Sequence, residues 1–256
     1  MASSSFETMK ITFADRTALT AVLLAVKDFS EFIRFEFKSM LASAVVLDST
    51  HVSVTCVEFV ISTDDAMGVA EATFRVQSLL QVLDLGKRDN TVDMIIEPEC
   101  ETVEIVLDDE QVKSRIKIYD DVVEIMDPPV MSGVDMYVVA SDLATRVRDL
   151  AGFGDTVSIR PVGMGEKLEL GVDSDIGTAH VAIDTLSVDG DVGTLTGETR
   201  LATRYIVSIL KMSKLFDRVC VVLAPGLPVC FKLTMDTVSV AFYLAPKFDD
   251  DADDEV

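Results

Sequence analysis

The sequence predicts an α+β fold of two similar domains, each holding two helices and antiparallel sheets. Short strand-type runs recur along the whole chain and outnumber the helical windows. The order strand, helix, strands, helix, strands can be read twice. Between the two readings, at the centre of 256 residues, lies an unlike stretch at 119–135, YDDVVEIMDPPVMSGVD.

Taken in order, Asp15 stands where a helix N-cap belongs, and residues 16–29 (RTALTAVLLAVKDF) carry good helix formers at helical spacing. Residues 32–38 alternate Ile33, Phe35 and Phe37 against Arg34, Glu36 and Lys38, the pattern of a half-buried antiparallel strand. Further strands are predicted at 44–47, 51–61 and 68–72, a helix at 74–85, and strands at 91–96, 102–107 and 112–119. After the central stretch come a strand at 135–140, a helix capped by Ser141 and running to Leu150, and strands at 156–160, 167–172 and 178–183. A last helix at 202–215 precedes strands at 218–223, 227–235 and 238–244.

The best internal match sets SLLQVL at 78–83 beside SILKMS at 208–213. Each is followed by a charged turn and an apolar strand closing in proline, IIEP at 95–98 and VLAP at 222–225. The expected boundaries are therefore a first domain at 1–118, a connector at 119–135, a second domain at 136–247 and an acidic tail at 248–256. Pro128 and Pro129 keep the connector out of helices and interior strands, while Val122, Val123, Ile125 and Met126 give it something to dock with. From composition alone, an ordinary linker and a docked segment are equally open.

The net charge of −22 argues against nucleic acid as a partner of the whole surface. Its distribution is uneven. Four helical windows (16–29, 74–89, 142–150 and 202–218) hold eleven of the 22 basic residues and only six of the 44 acidic ones. Cationic helices that share one side can meet phosphate, and solubility alone can also place Lys and Arg on helices. Cys56, Cys100, Cys220 and Cys230 lack zinc or CxxC spacing, and three of them sit in apolar strand runs, so neither disulfides nor a metal is expected. No stretch resembles a signal peptide or membrane span, which predicts an intracellular protein with no membrane partner. No catalytic motif assembles around the two histidines, His51 and His180, and residues 163–167 (GMGEK) lack the spacing of a phosphate loop. The acidic groups at 108–110 and 120–121 read as solvated surface. The expectation is a protein without enzymatic activity or cofactor.

Residues 47–54 (LDSTHVSV), 66–69 (AMGV), 148–150 (RDL) and 243–248 (YLAPKF, followed by the acidic tail) resemble, in order and separation, the proliferating cell nuclear antigen family of sliding DNA clamps. The LAPK ending with its tail and LDSTHVSV are the most specific. The resemblance implies the DNA-clamp fold in a closed ring of three identical subunits, helices lining a hole through which double-stranded DNA passes. It implies a processivity factor that tethers replicative polymerase and repair enzymes, placed on DNA by a separate ATP-driven clamp loader, in the nucleus or in the replication compartment of a virus-infected cell. Subunits of checkpoint-type heterotrimeric clamps share the fold, and an acidic interaction scaffold that never encircles DNA is the alternative from another class.

Carried over by residue, the family's pocket for peptide motifs of polymerases, nucleases and ligases falls on Leu47, His51, Met126, Pro128, Pro228, Tyr243, Ala245, Pro246 and Phe248, which would make the connector one wall of a groove. The basic channel matches Lys27, Arg148, Arg204 and Lys211. Thr20, Ala21, Gln81 and Asp84 stand where relatives place lysine, and Arg75, Lys87, Arg146 and Lys214 are candidates to compensate. The lysine that eukaryotic relatives modify with ubiquitin falls on Gly163. Subunits would join along Val112, Ser114, Ile116 and Ile118 against Ala179, Val181 and Ile183 of the next copy.

Overall fold

The computed structural model describes residues 8–63, 70–87, 90–97, 100–108, 110–120, 123–124, 126–127, 131–195 and 197–247. The chain divides into two compact units, Met1–Pro128 with Met235–Val240, and Pro129–Thr234 with Ala241–Val256. The first holds β1 (Met9–Phe13), α1 (Arg16–Val26), β2 (Phe32–Lys38), β3 (Leu41–Leu47), β4 (Ser53–Thr63), β5 (Ala70–Arg75), α2 (Val76–Leu83), β6 (Val92–Ile96), β7 (Thr102–Leu107) and β8 (Val112–Lys117). The same series then recurs: β9 (Val134–Val139), α3 (Ala140–Ala151), β10 (Thr156–Val162), β11 (Lys167–Ser174), β12 (Gly177–Asp189), β13 (Thr199–Ala202), α4 (Thr203–Ile209), β14 (Arg218–Leu223), β15 (Val229–Met235) and β16 (Val238–Leu244).

The repeat extends to the hydrogen-bonded pairs. In the first unit β1 pairs with β4 and β6, β2 with β3 and β5, β3 with β4, and β6 with β7, all antiparallel. In the second, β9 pairs with β12 and β14, β10 with β11 and β13, β11 with β12, and β14 with β15. Every pairing has its counterpart eight strands later. The duplication that residue identity only hinted at is plain in the backbone.

Alternation in the strands decides what is buried. Ile33, Phe35 and Phe37 are fully inside, and Phe13 meets Phe35 and Phe59 edge-on at 6.1 and 5.5 Å. Helix α1 turns Leu19, Val22, Leu23 and Val26 onto this core, and α3 turns Leu143, Val147 and Leu150 onto the second, where the Phe231 and Phe242 rings lie 6.3 Å apart, tilted by 38°. Each such side chain contributes about 1.5–3 kcal/mol through burial. The opposite faces of the helices stay in solvent.

Several element boundaries differ from expectation. Strand β1 was not foreseen, because five residues with two core positions, Ile11 and Phe13, give little period to read. Helix α1 ends at Val26, where Ser30 bonds the Phe32 carbonyl through its hydroxyl and draws the chain into β2. Helix α2 starts at Val76, since Phe74 and Arg75 pair with Ile33 and Phe32 and so belong to β5. Ser141 does not cap α3; β9 runs straight into the helix and the N-cap position falls on Val139. The α4 helix is α-helical only to Ile209 and continues as a 3-10 stretch at Leu210–Leu215. Strand β12 extends to Asp189, beyond the expected 183, because its second part pairs with β9. The AMGV motif, Pro128, Phe248 and the acidic tail lie outside the described residues. Among the described residues no helix is long and apolar enough to cross a membrane.

Candidate functional site

In the first unit the turn after β3 is built by one buried carboxylate. Asp48, 4 % exposed, accepts hydrogen bonds from the backbone N–H groups of Thr50 (3.1 Å) and Ser53 (2.6 Å) and from both of their hydroxyls. Its own carbonyl accepts from His51 N–H at 2.9 Å, so His51 is held at φ 58°, in the left-handed region. This Asp-Ser-Thr turn places His51 in solvent, with Nε2 3.4 Å from the Glu124 carboxylate of the connector. Leu47, half-buried, His51, Val123 and Glu124 line an open cleft of about 540 Å³ together with Phe29, Lys27 and Arg75. One residue carried over as a channel cation, Lys27, and one compensating candidate, Arg75, thus share a cleft with two residues carried over as peptide contacts, Leu47 and His51. Arg75 is also tied to Glu31 at 2.8 Å. Met126 is 42 % exposed, which leaves part of its side chain accessible.

The second unit carries an apolar cluster of its own. Cys220, Val222 and Cys230 are buried, and Met131, Tyr137, Ala241 and Tyr243 pack against them. Tyr243, Pro228, Ala245 and Pro246 are each half-buried, which leaves part of every ring or methyl accessible. Burial pushes the Cys220 thiol up to about 11, with Asp135 adding to the effect, and burial does the same for Cys56 beside Glu58. Neither is a nucleophile near neutrality. Among the described residues no group of three or more His, Cys, Asp or Glu could hold a metal.

All eight residues proposed to face DNA are exposed, but their distribution is lopsided. On the first unit's helices the solvent side shows Thr17, Thr20, Ala21, Leu24, Gln77, Gln81 and Asp84, and Lys27 stands just past the end of α1; Lys87 lies in the loop after α2. The second unit's helical face shows Arg146, Arg148, Arg204, Lys211 and Lys214 against Asp142 and Asp149. Arg146 lies 3.7 Å from Asp149, and Arg204 stacks on the Tyr205 ring at 4.8 Å. Arg16, in contrast, points its guanidinium at the Leu83 carbonyl and closes the end of α2.

Among the described residues β5 and β13 each pair with one strand, and two longer stretches, β8 and the first part of β12, also have an open edge. Strand β8 pairs only with β7, with Val112 and Ser114 half-buried, Ile116 buried, and Lys113, Arg115 and Lys117 exposed. The first part of β12 pairs only with β11, with Ala179 and Val181 half-buried, Ile183 buried, and Thr178, His180, Ala182 and Asp184 exposed. Ile118 is half-buried just past β8. In the first unit the counterpart of this β12 edge belongs to β4, and there it is covered: β16 lies beside β4, and Val60 N–H donates to the Thr237 carbonyl at 2.9 Å. Strand β8 is the counterpart of β16. The pair that closes within the chain, β4 with β16, is left open as β12 and β8.

Residues 132–248 match the family model of the proliferating cell nuclear antigen C-terminal domain. The chain is 27 % identical over 244 residues to a probable DNA polymerase sliding clamp of Paramecium bursaria Chlorella virus 1, covering 91 % of this chain and 89 % of that one. It is 22 % identical over 262 aligned positions to proliferating cell nuclear antigen of Saccharomyces cerevisiae, covering 93 % and 98 %. The crystal structure of the antigen from Entamoeba histolytica superimposes with a TM-score of 0.83 at 15 % identity, over 94 % of this chain and 99 % of that one. At that identity the likeness speaks for the fold.

Proposed function

We infer that this chain, a divergent member of the proliferating cell nuclear antigen family, is a sliding clamp that serves a DNA polymerase as processivity factor. Three copies join head to tail into a ring around double-stranded DNA. The observation that carries this reading is the pair of complementary open edges. A β8 edge and a β12 edge of six and eight residues are an aggregation hazard unless paired, and each is the repeat counterpart of a strand that finds its partner within the chain. Joining β8 of one copy to β12 of the next makes a heterologous contact, and such contacts close into a ring when the rotation between copies allows it.

Retention on DNA then comes from enclosure, and contacts to phosphate need only be weak and exchangeable. The exposed cations of the second unit suit this: none is buried, and exposed Lys and Arg can make such phosphate contacts. The acidic remainder of the surface repels the duplex from everywhere else. The apolar residues of each unit, Leu47 and Met126 in the first and Pro228, Tyr243, Ala245 and Pro246 in the second, with Pro128 and Phe248, receive short peptide motifs of polymerases, nucleases and ligases. A separate ATP-driven loader opens the ring, and the work is done in the nucleus or a viral replication compartment. Primer extension on a singly primed circular template, with polymerase and loader present, tests the role. The clamp should lengthen products per binding event; unchanged product length would refute it.

A further inference from the structure

Next to the open edge of β12 the outer face of the second unit has a hollow of about 370 Å³. Its floor is Gly171. A Cβ there would come within 2.8 Å of both Ser158 Oγ and His180 Nδ1, so the missing side chain is what lets the His180 ring lie over the sheet, away from the β12 edge. Asp173 stands two pairs further along, on the neighbouring strand opposite Thr178, and makes no ion pair among the described residues. On β8, Lys113 is held by Glu110 at 3.0 Å, whereas Arg115 forms no salt bridge among the described residues and Lys117 lies over the Tyr119 ring, 5.4 Å from its centre, a contact it would exchange for Asp173.

The repeat supplies a register for joining the two edges. Within the chain Val60 lies opposite Thr237, one residue before β16 begins. Val60 opens the β3–β4 pairing as Asp184 opens the β11–β12 pairing, and Gln111 precedes β8 as Thr237 precedes β16. Transferring the contact sets Gln111 opposite Asp184, and hence Arg115 opposite His180 and Lys117 opposite Thr178. The same register puts Val112, Ser114 and Ile116 opposite Ile183, Val181 and Ala179, so that core-facing residues meet core-facing residues. Strands are spaced about 4.8 Å apart, which leaves Asp173 two strands from Lys117, within reach of an extended lysine.

We propose that this hollow is the receptor for the Arg115 and Lys117 side chains of the adjacent copy, with Asp173 as the carboxylate that pairs with Lys117. The proposal rests on the head-to-tail reading and adds that the joint is electrostatically keyed. Two like edges cannot satisfy it: β8 against β8 sets cation on cation, and β12 against β12 brings no β8 cation to a hollow whose own Arg200 and Lys247 are paired with Glu198 and Asp155. Unlike edges are selected, as ring closure requires.

The test is the mass distribution of the full chain by mass photometry against concentration and salt, for wild type, Asp173→Asn, Lys117→Gln, the double variant, and the exchange Asp173→Lys with Lys117→Asp. Circular-dichroism melts verify that each variant is folded. Each neutral single variant should weaken association about two- to fivefold per joint, and the double variant no more than either single. Asp173→Lys alone should weaken it further, and the exchange should restore it. Losses that multiply in the double variant, or an exchange that stays dissociated, would overturn the pairing while leaving the ring intact. A wild type that remains a single copy at micromolar concentration would instead overturn the head-to-tail reading itself.

Discussion

Replacing Asp48 by alanine should separate what the turn does from what the groove residues do. Asp48 is 4 % exposed and its carboxylate accepts four hydrogen bonds, two from backbone N–H groups. Truncation leaves the Ser53 N–H without its acceptor in a site 2 % exposed, which alone costs about 1–3 kcal/mol. Loss of the charge-assisted bonds to Thr50 brings the total to roughly 3 kcal/mol. For a chain of this length that lowers the melting temperature by about 6–12 °C. The left-handed His51 would also lose the turn that holds it, so binding of a fluorescent peptide with apolar anchors should weaken more than tenfold while the mass of the assembly stays unchanged. Asp48→Asn keeps one oxygen for Ser53 N–H and should lose less than half as much. Melts followed by circular dichroism and peptide titrations by anisotropy measure both effects. A melting point within 1 °C of wild type, with peptide affinity unchanged, would refute this account of the turn.

Met126→Ala combined with Phe248→Ala should abolish stimulation of the polymerase in the primer-extension assay and leave the mass of the assembly unchanged; retained stimulation would count against the docking assignment. Arg148→Ala and Arg204→Ala should each weaken duplex binding and lower the slope of log K against log salt by about one, with a smaller effect from Lys27→Ala; an equal or larger effect from Lys27 would contradict the dominance of the second unit. Titration with a thiol reagent should find Cys100, the one exposed cysteine, reacting fast, and Cys56, Cys220 and Cys230 slow. Since folding raises the Cys56 and Cys220 values from 9 to about 11, stability should be full below pH 9 and fall as the pH rises toward 11, because there only the unfolded chain ionises these thiols. Urea titrations across that range check the sign, and Cys220→Ala should flatten part of the fall.

What the sequence revealed and what it hid have physical reasons. Strands such as residues 32–38 were legible because one face is buried and the other wet, so period two survives in the side chains. The ends of α2 and α4 were not, since Phe74 and Arg75 favour a helix as readily as a strand until β2 pairs with them. The proposed docking residues came through resemblance alone; in isolation Tyr243 and Pro228 both fall inside predicted strands, 238–244 and 227–235. Asp48 could have been found, because Asp-Ser-Thr between two strands is a turn signal with a mechanism. Gly171 could not, because a glycine inside a strand run says only that something lies close, and the neighbour here, His180, arrives from another strand.

The most direct test of enclosure is topological. Loaded onto a nicked circular duplex and freed of loader and ATP, the clamp should remain bound through gel filtration, and cutting the circle once should release it at the first opportunity to slide off an end. Equal retention on circular and linear DNA would mean that the protein holds the duplex by contact, and the ring account would be wrong.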